Sequence, residues 1–231
     1  PLPEHLTEIC ELVTEKKADI GFVTDPDADR LAIIDNNGRF IGEEYTIAAT
    51  LDFHLEKKKG PIAVNLSSSR ISENIAEKHG VACHRSAVGE INVVKKMQEI
   101  GAVAGGEGNG GVINADLHPG RDALVGIAMV LQLLAERKLT VAEYRDSLPG
   151  YHIVKSKVEL GSVNADEVLE KVTRIYADER IDTVDGVKID FNDGWVHLRK
   201  SNTEPIIRVY SEALSEQRAR EIAAPVMEQL K

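Results

Sequence analysis

The sequence predicts a mixed, largely parallel α/β layer domain followed by a smaller α+β domain with an antiparallel sheet and two helices. Short apolar runs typical of buried strands alternate with helical apolar spacing through residues 4–137, which is the pattern of a sheet covered by helices. The run Leu148-Pro149-Gly150 interrupts this pattern and is interpreted as a linker. Beyond it come a strand, a helix, three successive strand-like runs and a last helix, which is typical of an antiparallel sheet backed by helices.

Local spacing predicts the individual elements. Strands are expected at residues 20–23, 31–34, 61–66, 81–84, 102–104, 112–113, 151–159, 186–191, 195–199 and 206–210. Helices are expected at residues 4–16, 42–59, 67–80, 90–100, 121–137, 165–176 and 219–230. The apolar stripe expected on the helix at 121–137 consists of Leu124, Ile127, Ala128, Leu131 and Leu134. Ser67, Ser68 and Ser69 are interpreted as N-caps, although amides at a helix start can also hold a phosphate.

The composition narrows the class of function. The chain has 231 residues and a formal net charge of −10, from 28 Lys and Arg against 38 Asp and Glu. This acidic balance argues against nucleic-acid or membrane-surface binding, so an anionic ligand needs a local basic site. Cys10 and Cys83 are too few for a disulfide framework and favour the reducing cytoplasm. The longest uncharged stretch, residues 123–135, is too short to span a bilayer.

The acidic run Asp25-Pro26-Asp27-Ala28-Asp29-Arg30 is predicted to form a tight loop between two apolar strands, and it is the centre of the functional prediction. In an extended stretch the side chains of Asp25, Asp27 and Asp29 point the same way, and three converging carboxylates call for a cation. Oxygen ligands favour Mg²⁺ or Ca²⁺ over Zn²⁺. An EF-hand is excluded because Arg30 and Asn36 stand where it needs Gly and Glu. The prediction is therefore a Mg²⁺ site that is shared with a phosphate, and Arg30 would contact that phosphate. The alternative is a solvated acidic turn without a metal.

The glycine-rich run at residues 105–111 contains Glu107 and Asn109. Glycines let a ligand approach closely, and a carboxylate next to an amide suits vicinal sugar hydroxyls. The run follows a predicted strand, and open α/β sheets bind ligands at the carboxyl ends of their strands. These features predict a sugar-binding loop.

A third polar run, Arg199 to Pro205, joins two predicted strands of the second domain. Its guanidinium, hydroxyl and amide groups are donors that suit a phosphate dianion, and Arg208 of the following strand can lean toward the run. The candidate phosphate-binding residues are Arg199, Ser201, Asn202, Thr203 and Arg208. A plain polar hairpin turn is the alternative, but it does not explain the two arginines.

In this order the three loops resemble those of the α-D-phosphohexomutase superfamily, which includes phosphoglucomutases, phosphomannomutases and phosphoglucosamine mutases. Asp25 to Arg30 resembles its metal loop, Gly106-Glu107-Gly108-Asn109-Gly110 its sugar-binding loop, and Arg199 to Pro205 its phosphate-binding loop. The resemblance implies three regions: the end of a domain II at residues 1–40, a domain III at 41–148 and a domain IV at 149–231.

The resemblance also implies a reaction. Phosphate moves reversibly between C1 and C6 of a hexose phosphate through a phosphoserine and a bisphosphate intermediate, a chemistry that depends on positioning and charge neutralisation. Asp25, Asp27 and Asp29 would hold Mg²⁺, Arg30 would act in catalysis and Glu107 would orient the sugar. The form of the sugar loop favours a phosphoglucosamine mutase over a phosphoglucomutase or phosphomannomutase.

Two departures from the family limit the expectation. No Ser-His-Asn-Pro run, which carries the family's nucleophile, occurs in the sequence, and the chain begins at Pro1 within a helical pattern. The chain is therefore expected to be a carboxy-terminal portion that lacks the phosphoserine domain and is inactive alone. Asn109-Gly110-Gly111 replaces the Ser-Gly-His of many members, so the acid/base role is unassigned. Lys95, Lys96 and Arg121 are weak candidates for substrate contacts; Arg121 is interpreted first as a helix-start residue.

Two other functions remain open from the sequence. The first is a non-catalytic phosphosugar-binding module, which an upstream Ser-His-Asn-Pro loop would exclude. The second is a magnesium-dependent phosphatase, which would need an aspartate as the nucleophile.

Overall fold

The computed structural model describes residues 3–161, 164–201 and 204–230. The chain divides into two compact units, unit 1 (Pro1–Pro149) and unit 2 (Gly150–Lys231). The division falls within the run Leu148-Pro149-Gly150, where a change of composition marks the expected linker.

Unit 1 alternates helices with short strands. Its helices are α1 (Thr7–Lys16), α2 (Glu43–Lys57), α3 (Ile71–His79), α4 (Glu90–Ile100), α5 (Ala123–Arg137) and α6 (Val141–Asp146). Its strands are β1 (Gly21–Thr24), β2 (Leu31–Ile34), β3 (Ile62–Asn65), β4 (Cys83–Ser86), β5 (Ala104–Glu107) and β6 (Gly111–Asn114).

The central sheet of unit 1 has four strands in the order β4-β3-β5-β6. β3 pairs in parallel with β4 and β5, and β6 pairs antiparallel with β5 at one edge. β1 and β2 form a separate antiparallel pair. α2 packs against β5 and β6, and α4 packs against β3, β4 and β5. The predicted α/β layer with a largely parallel sheet is confirmed.

Unit 2 is an antiparallel sheet with two helices, as predicted. Its elements are β7 (His152–Glu159), α7 (Ala165–Ile175), β8 (Arg180–Asp182), β9 (Val187–Phe191), β10 (Gly194–Lys200), β11 (Ile206–Ala213) and α8 (Glu216–Glu228). The strand order is β7-β11-β10-β9-β8, and every neighbouring pair is antiparallel. Val172 of α7, Val226 of α8, and Leu198 and Ile207 of the sheet are fully buried in one apolar cluster. The two helices therefore cover one face of the sheet.

The helix α5 forms where the sequence predicts it, but the expected stripe is not its buried face. Its buried residues are Ala123, Gly126, Met129, Val130 and Leu133. Leu124 and Leu131 are instead 66% and 45% exposed. Both faces are apolar, so spacing alone does not choose between them. Gly126 decides the outcome, because a Cβ there would lie only 3.1 Å from Leu31 Cδ2, and this close approach brings its face to β2. Within the described ranges, no helix is long and apolar enough to cross a membrane.

Asp52 joins four helices of unit 1 at a fully buried point. Its carboxylate accepts hydrogen bonds from Lys78 Nζ (2.9 and 3.0 Å), Arg137 Nη1 (2.8 Å) and the Tyr144 hydroxyl (3.0 Å), and His79 Nε2 lies 2.6 Å away. Burial pushes the pKa of Asp52 upward, but the hydrogen bonds from Arg137, His79 and Lys78 outweigh it and hold the pKa well below its usual range. The ionised form of Asp52 is therefore part of the folded structure.

We expect Asp52→Asn to lower the free energy of unfolding by roughly 3–5 kcal/mol at neutral pH, because it leaves the Arg137 and Lys78 charges without their partner. Since the pKa of Asp52 is lower in the folded chain than the unfolded value of about 3.9, its contribution is present above that pH and is lost as the pH falls towards the folded pKa. The difference between wild type and variant should thus narrow below about pH 4. Urea denaturation across pH measures it.

The matched control is Asp116→Asn. Asp116 pairs with Lys58 at the surface, and both side chains are about half exposed, so this change should cost no more than about 1 kcal/mol. Equal losses for the two variants would contradict the role of Asp52 as a buried junction.

Candidate functional site

The acidic run forms a tight turn between β1 and β2, which agrees with the loop between two strands expected from the sequence. The Ala28 amide donates to the Asp25 carbonyl at 3.0 Å, and Ala28 has a left-handed φ of 55°. Asp25 Oδ1 accepts hydrogen bonds from the amides of Asp29 (3.1 Å) and Arg30 (3.2 Å). Asp and Pro both favour turns, Asp by bonding nearby amides in this way. The side chains do not follow the alternation expected of an extended chain, because one carboxylate oxygen of Asp25 bonds the backbone of the turn.

The turn brings two of the three predicted metal ligands together. Asp25 and Asp29 are partly buried and their carboxyl groups lie against each other, whereas Asp27 is exposed. Burial and then the neighbouring Asp25 carboxyl raise the pKa of Asp29. Burial acts to raise the pKa of Asp25 as well, but hydrogen bonds from the Asp29 carboxyl and from the Arg30 and Asp29 amides lower it overall. Two adjacent carboxylates repel each other, and a cation placed between them would relieve this repulsion.

The donor set of the turn suits a hard divalent cation. Asp29 Oδ1 is buried and has no hydrogen-bond partner among the described residues, and carboxylate oxygens are the ligands Mg²⁺ prefers. Arg30 Nε lies 3.6 Å from Asp25 Oδ2 and 3.8 Å from Asp29 Oδ1. Across the described ranges, no group of three or more acidic, His or Cys side chains is gathered closely enough to hold a metal ion. A role for Asp27 as a third ligand therefore stays a prediction.

Glu107 ends β5 and is 3% exposed. Its Oε1 accepts hydrogen bonds from Asn65 Nδ2 (2.8 Å) and the Gly89 amide (2.9 Å), and its Oε2 accepts one from Arg121 Nη1 (2.7 Å). A carboxylate has about four acceptor sites, so capacity for a further donor remains. Next to it, Asn109 Oδ1 accepts from the Gly111 amide at 3.2 Å. Sugar binding by Glu107 and Asn109 stays a prediction.

The glycines around Glu107 make room for side chains of the protein itself. A Cβ on Gly108 would lie 1.8 Å from Glu44 Oε1, and one on Gly111 would lie 2.2 Å from Arg121 Cδ. The Gly108 amide donates to Ser68 Oγ at 3.0 Å, so Ser68 supports this loop and does not cap α3. The N-cap interpretation was therefore wrong for Ser68. Ser69 Oγ does accept from the first amide of α3, that of Ile71, at 3.1 Å.

Arg121 was named from the sequence only as a candidate for substrate contact and as a helix-start residue, and its contacts with the two predicted loops were not foreseen. Its guanidinium contacts Asp29 through Nη2 and Glu107 through Nη1, and its Nε lies 3.5 Å from Glu90 Oε2. The only signal in the sequence is an arginine between Gly120 and the N-cap Asp122 of an apolar helix, which says nothing about remote partners.

Two backbone hydrogen bonds strengthen the assembly around the acidic turn, one to the glycine-rich loop and one to the start of α5. The Leu31 amide donates to the Gly110 carbonyl, and the Ala123 amide donates to the Ala28 carbonyl, both at 3.0 Å. Together with Arg121 they fix the predicted metal loop and the predicted sugar loop as one assembly within unit 1.

In unit 2, three cations lie on neighbouring strands. Arg199 of β10 is directly opposite Arg208 of β11, and Arg208 is directly opposite Lys157 of β7. Residues in direct register have side chains on the same face of a sheet. Arg199 also lies 3.5 Å from Asp185 Oδ2. Like charges in direct register destabilise a sheet, so this row is better suited to binding an anion than to stabilising the fold.

The predicted phosphate loop follows β10. The Ser201 amide donates to the Ile206 carbonyl at 3.0 Å and so closes the base of the loop. Asn202 and Thr203 lie outside the described residues. A surface pocket of about 290 Å³ next to the row is lined by Lys157, Arg208, Tyr210 and Glu204 among others. The structure thus brings Arg199 and Arg208 together, and Lys157 joins them.

Comparison with known proteins identifies the family. Residues 1–38 match the model of phosphoglucomutase/phosphomannomutase α/β/α domain II, residues 42–151 that of α/β/α domain III, and residues 154–229 that of the C-terminal domain. The chain belongs to the phosphoglucomutase/phosphomannomutase family of the α-D-phosphohexomutase superfamily, as the three loops in the sequence imply.

Curated relatives match nearly all of the chain. A phosphoglucomutase/phosphomannomutase of Thermococcus kodakarensis is 38% identical and a probable phosphoglucosamine mutase of Methanopyrus kandleri is 37% identical, each over 96% of this chain. The matches cover 49% and 50% of those proteins, so the chain spans about half the length of the curated relatives it matches.

Solved structures share the fold. A phosphoglucomutase/phosphomannomutase family protein of Burkholderia thailandensis has a TM-score of 0.85 at 25% identity, over 100% of this chain and 50% of that one. Aspergillus fumigatus N-acetylphosphoglucosamine mutase in complex with GlcNAc-6P and magnesium has a TM-score of 0.64 at 16% identity, over 96% of this chain and 52% of that one.

We expect Gly111→Ala to lower the free energy of unfolding by about 1–3 kcal/mol, because the new Cβ collides with Arg121 Cδ and forces the guanidinium away from Glu107. Gly150→Ala is the matched control, since its Cβ would meet no atom within 4 Å, and the change should be neutral or stabilising by up to about 1 kcal/mol. Urea denaturation followed through NMR amide signals of β6 and α5 checks both. A Gly111→Ala chain as stable as the control would show that Arg121 can move aside freely.

Proposed function

We propose that this chain supplies the cation-, sugar- and phosphate-binding parts of a phosphohexomutase, an isomerase that moves phosphate reversibly between C1 and C6 of a hexose phosphate. The observation that carries the proposal is the assembly within unit 1: the acidic turn is joined to Glu107 through Arg121 and through the hydrogen bond between Leu31 and Gly110. A cation site next to a reader of sugar hydroxyls is what phosphoryl transfer to a hexose needs. Membership of the family supports the same reaction.

The roles of the residues in unit 1 follow from their chemistry. Asp25, Asp27 and Asp29 would hold Mg²⁺, which when bound supplies positive charge to a phosphoryl group. The mutase of Aspergillus fumigatus in complex with magnesium supports this choice of cation. Arg30, 43% exposed at its side chain, can contact the same phosphoryl oxygens. Glu107 and Asn109 would accept and donate hydrogen bonds to sugar hydroxyls.

Unit 2 would hold a phosphate group of the substrate. Arg199 and Arg208 contribute charge-assisted hydrogen bonds, and Ser201 with Asn202 and Thr203 contributes neutral donors. The phosphoserine that exchanges phosphate with the sugar would come from a domain outside this chain. In that case the chain alone binds a phosphosugar without turnover.

The substrate we propose is a glucosamine phosphate, so the whole protein would be a phosphoglucosamine mutase located in the cytoplasm. The similarity to a probable phosphoglucosamine mutase supports this choice. The almost equal similarity to a phosphoglucomutase/phosphomannomutase makes glucose and mannose phosphates the alternative. The difference lies at C2 of the sugar, where one amino or hydroxyl group distinguishes these substrates.

Turnover by the complete reading frame that contains this chain tests the proposal. We expect conversion of glucosamine 6-phosphate to exceed that of glucose 1-phosphate and mannose 1-phosphate when all three are assayed side by side with Mg²⁺. Conversion of none of them, combined with binding of all, would favour a non-catalytic phosphosugar-binding module.

We expect Arg199→Ala to weaken the binding of glucosamine 6-phosphate by roughly 2 kcal/mol, about thirtyfold in Kd, because one charge-assisted pair with the phosphate is lost. Isothermal titration of the 231-residue chain measures the change. Arg218→Ala is the control: Arg218 pairs with Asp193 at the surface of the same unit and should leave the affinity as it is. Unchanged affinity in Arg199→Ala would count against a phosphate site at this row of cations.

A further inference from the structure

One guanidinium contacts three carboxylates of unit 1 that come from three separate segments. Arg121 Nη2 binds Asp29 of the acidic turn, Nη1 binds Glu107 at the end of β5, and Nε lies 3.5 Å from Glu90 at the start of α4. The side chain of Arg121 is 11% exposed, against 21% for Asp29 and 4% for Glu107. These contacts are thus largely withdrawn from water, where charge pairing is strong.

The backbone holds Arg121 in place on both sides. Its amide donates to Glu90 Oε1 at 2.8 Å, its backbone bridges to Ile113, and the following Asp122 amide donates to the Val112 carbonyl at 2.9 Å. The glycine at position 111 leaves the space that the side chain occupies. Because the chain is anchored next to the guanidinium, Arg121 can release one carboxylate and keep the other.

The same Asp29 carboxylate serves two purposes. Its Oδ2 binds Arg121, while its Oδ1 is the buried oxygen without a hydrogen-bond partner among the described residues. A divalent cation at the acidic turn would therefore approach a carboxylate that already has a positive partner, and the two positive charges oppose each other at short range.

We propose that Arg121 is a positioning residue that acts as the internal counter-ion of Asp29 and Glu107. A cation bound at the acidic turn competes with Arg121 for Asp29 and thereby changes the interaction between Arg121 and Glu107. Arg121 does not touch the reacting phosphate in this scheme; it connects the cation site to the sugar-reading carboxylate. The inference deepens the proposed function and rests on it, because it takes the acidic turn as the cation site. Such coupling is reciprocal: the factor by which the bound cation changes the affinity for the sugar equals the factor by which the bound sugar changes the affinity for the cation.

The sign of the effect distinguishes this role from a merely structural one. If Arg121 competes with the cation, removing its charge tightens cation binding. If Arg121 only holds the turn in shape, removing it loosens the turn and weakens cation binding. The measurement is the Kd of Mn²⁺, a spectroscopic substitute for Mg²⁺ at oxygen ligands, followed by the electron paramagnetic resonance signal of free Mn²⁺ at low ionic strength.

For the 231-residue chain, we expect Arg121→Gln to bind Mn²⁺ about five- to tenfold more tightly than wild type, the lower part of the usual range for coupled sites. Arg121→Lys keeps the charge without the two-pronged geometry and should stay within about twofold of wild type. Arg145→Gln is the matched control for the loss of one positive charge in unit 1; its guanidinium lies 3.4 Å from the centre of the Tyr45 ring. Unchanged or weaker Mn²⁺ binding in Arg121→Gln overturns the proposal.

A measurement on the wild type keeps the proposal testable if Arg121→Gln does not fold. During a Mg²⁺ titration followed by NMR, the Arg121 side-chain signal and the Gly108 amide should shift with the same midpoint as the amides of residues 25–30. Shifts confined to residues 25–30 overturn the coupling and leave the cation site standing. If residues 25–30 do not respond to Mg²⁺, the cation site of the proposed function fails and the inference fails with it.

Discussion

A carboxylate that is removed from water must be matched by opposite charge or by hydrogen-bond donors, and this requirement organises unit 1 at two places. At Asp52 the match is complete, because Lys78, Arg137 and Tyr144 all donate to one fully buried group. At the acidic turn it is incomplete, because one oxygen of Asp29 is hydrogen-bonded to Arg121 while the other has no hydrogen-bond partner among the described residues and only Arg30 Nε at 3.8 Å. The first place is suited to holding helices together, and the second retains capacity for a ligand.

The parts of the fold that depend on neighbours in the sequence could be predicted. Apolar runs gave the strands on both sides of the acidic turn, and α4 begins and ends at the predicted residues Glu90 and Ile100. The tight turn between these strands was also predicted, but the directions of its side chains were not. Spacing predicts where an extended chain points its side chains, whereas here the Asp25 carboxylate bonds the amides of Asp29 and Arg30 and bends the chain.

The parts that depend on contacts between distant segments could not be predicted. The buried face of α5 was one of them, because both of its faces are apolar and the choice falls to how closely Gly126 approaches Leu31. Arg121 was another, since its partners Asp29 and Glu107 lie 92 and 14 residues away in the chain. A single sequence carries no local mark of either contact. Glycines near Glu107 were predicted to admit a ligand, but the atoms nearest to Gly108 and Gly111 are those of Glu44 and Arg121.

The two units treat charge in opposite ways. Unit 1 places its acidic groups Asp29 and Glu107 against the guanidinium of Arg121, which partly neutralises them. Unit 2 instead places Lys157, Arg208 and Arg199 in register on adjacent strands, where like charges raise the free energy of the folded sheet. Asp185 offsets part of this cost, because its Oδ2 lies 3.5 Å from Arg199 Nη1. An anion would remove the repulsion and so stabilise unit 2 while it binds. If both proposed sites bind their ligands, relief of repulsion adds to anion affinity in unit 2, whereas the exchange of partners at Arg121 reduces cation affinity in unit 1.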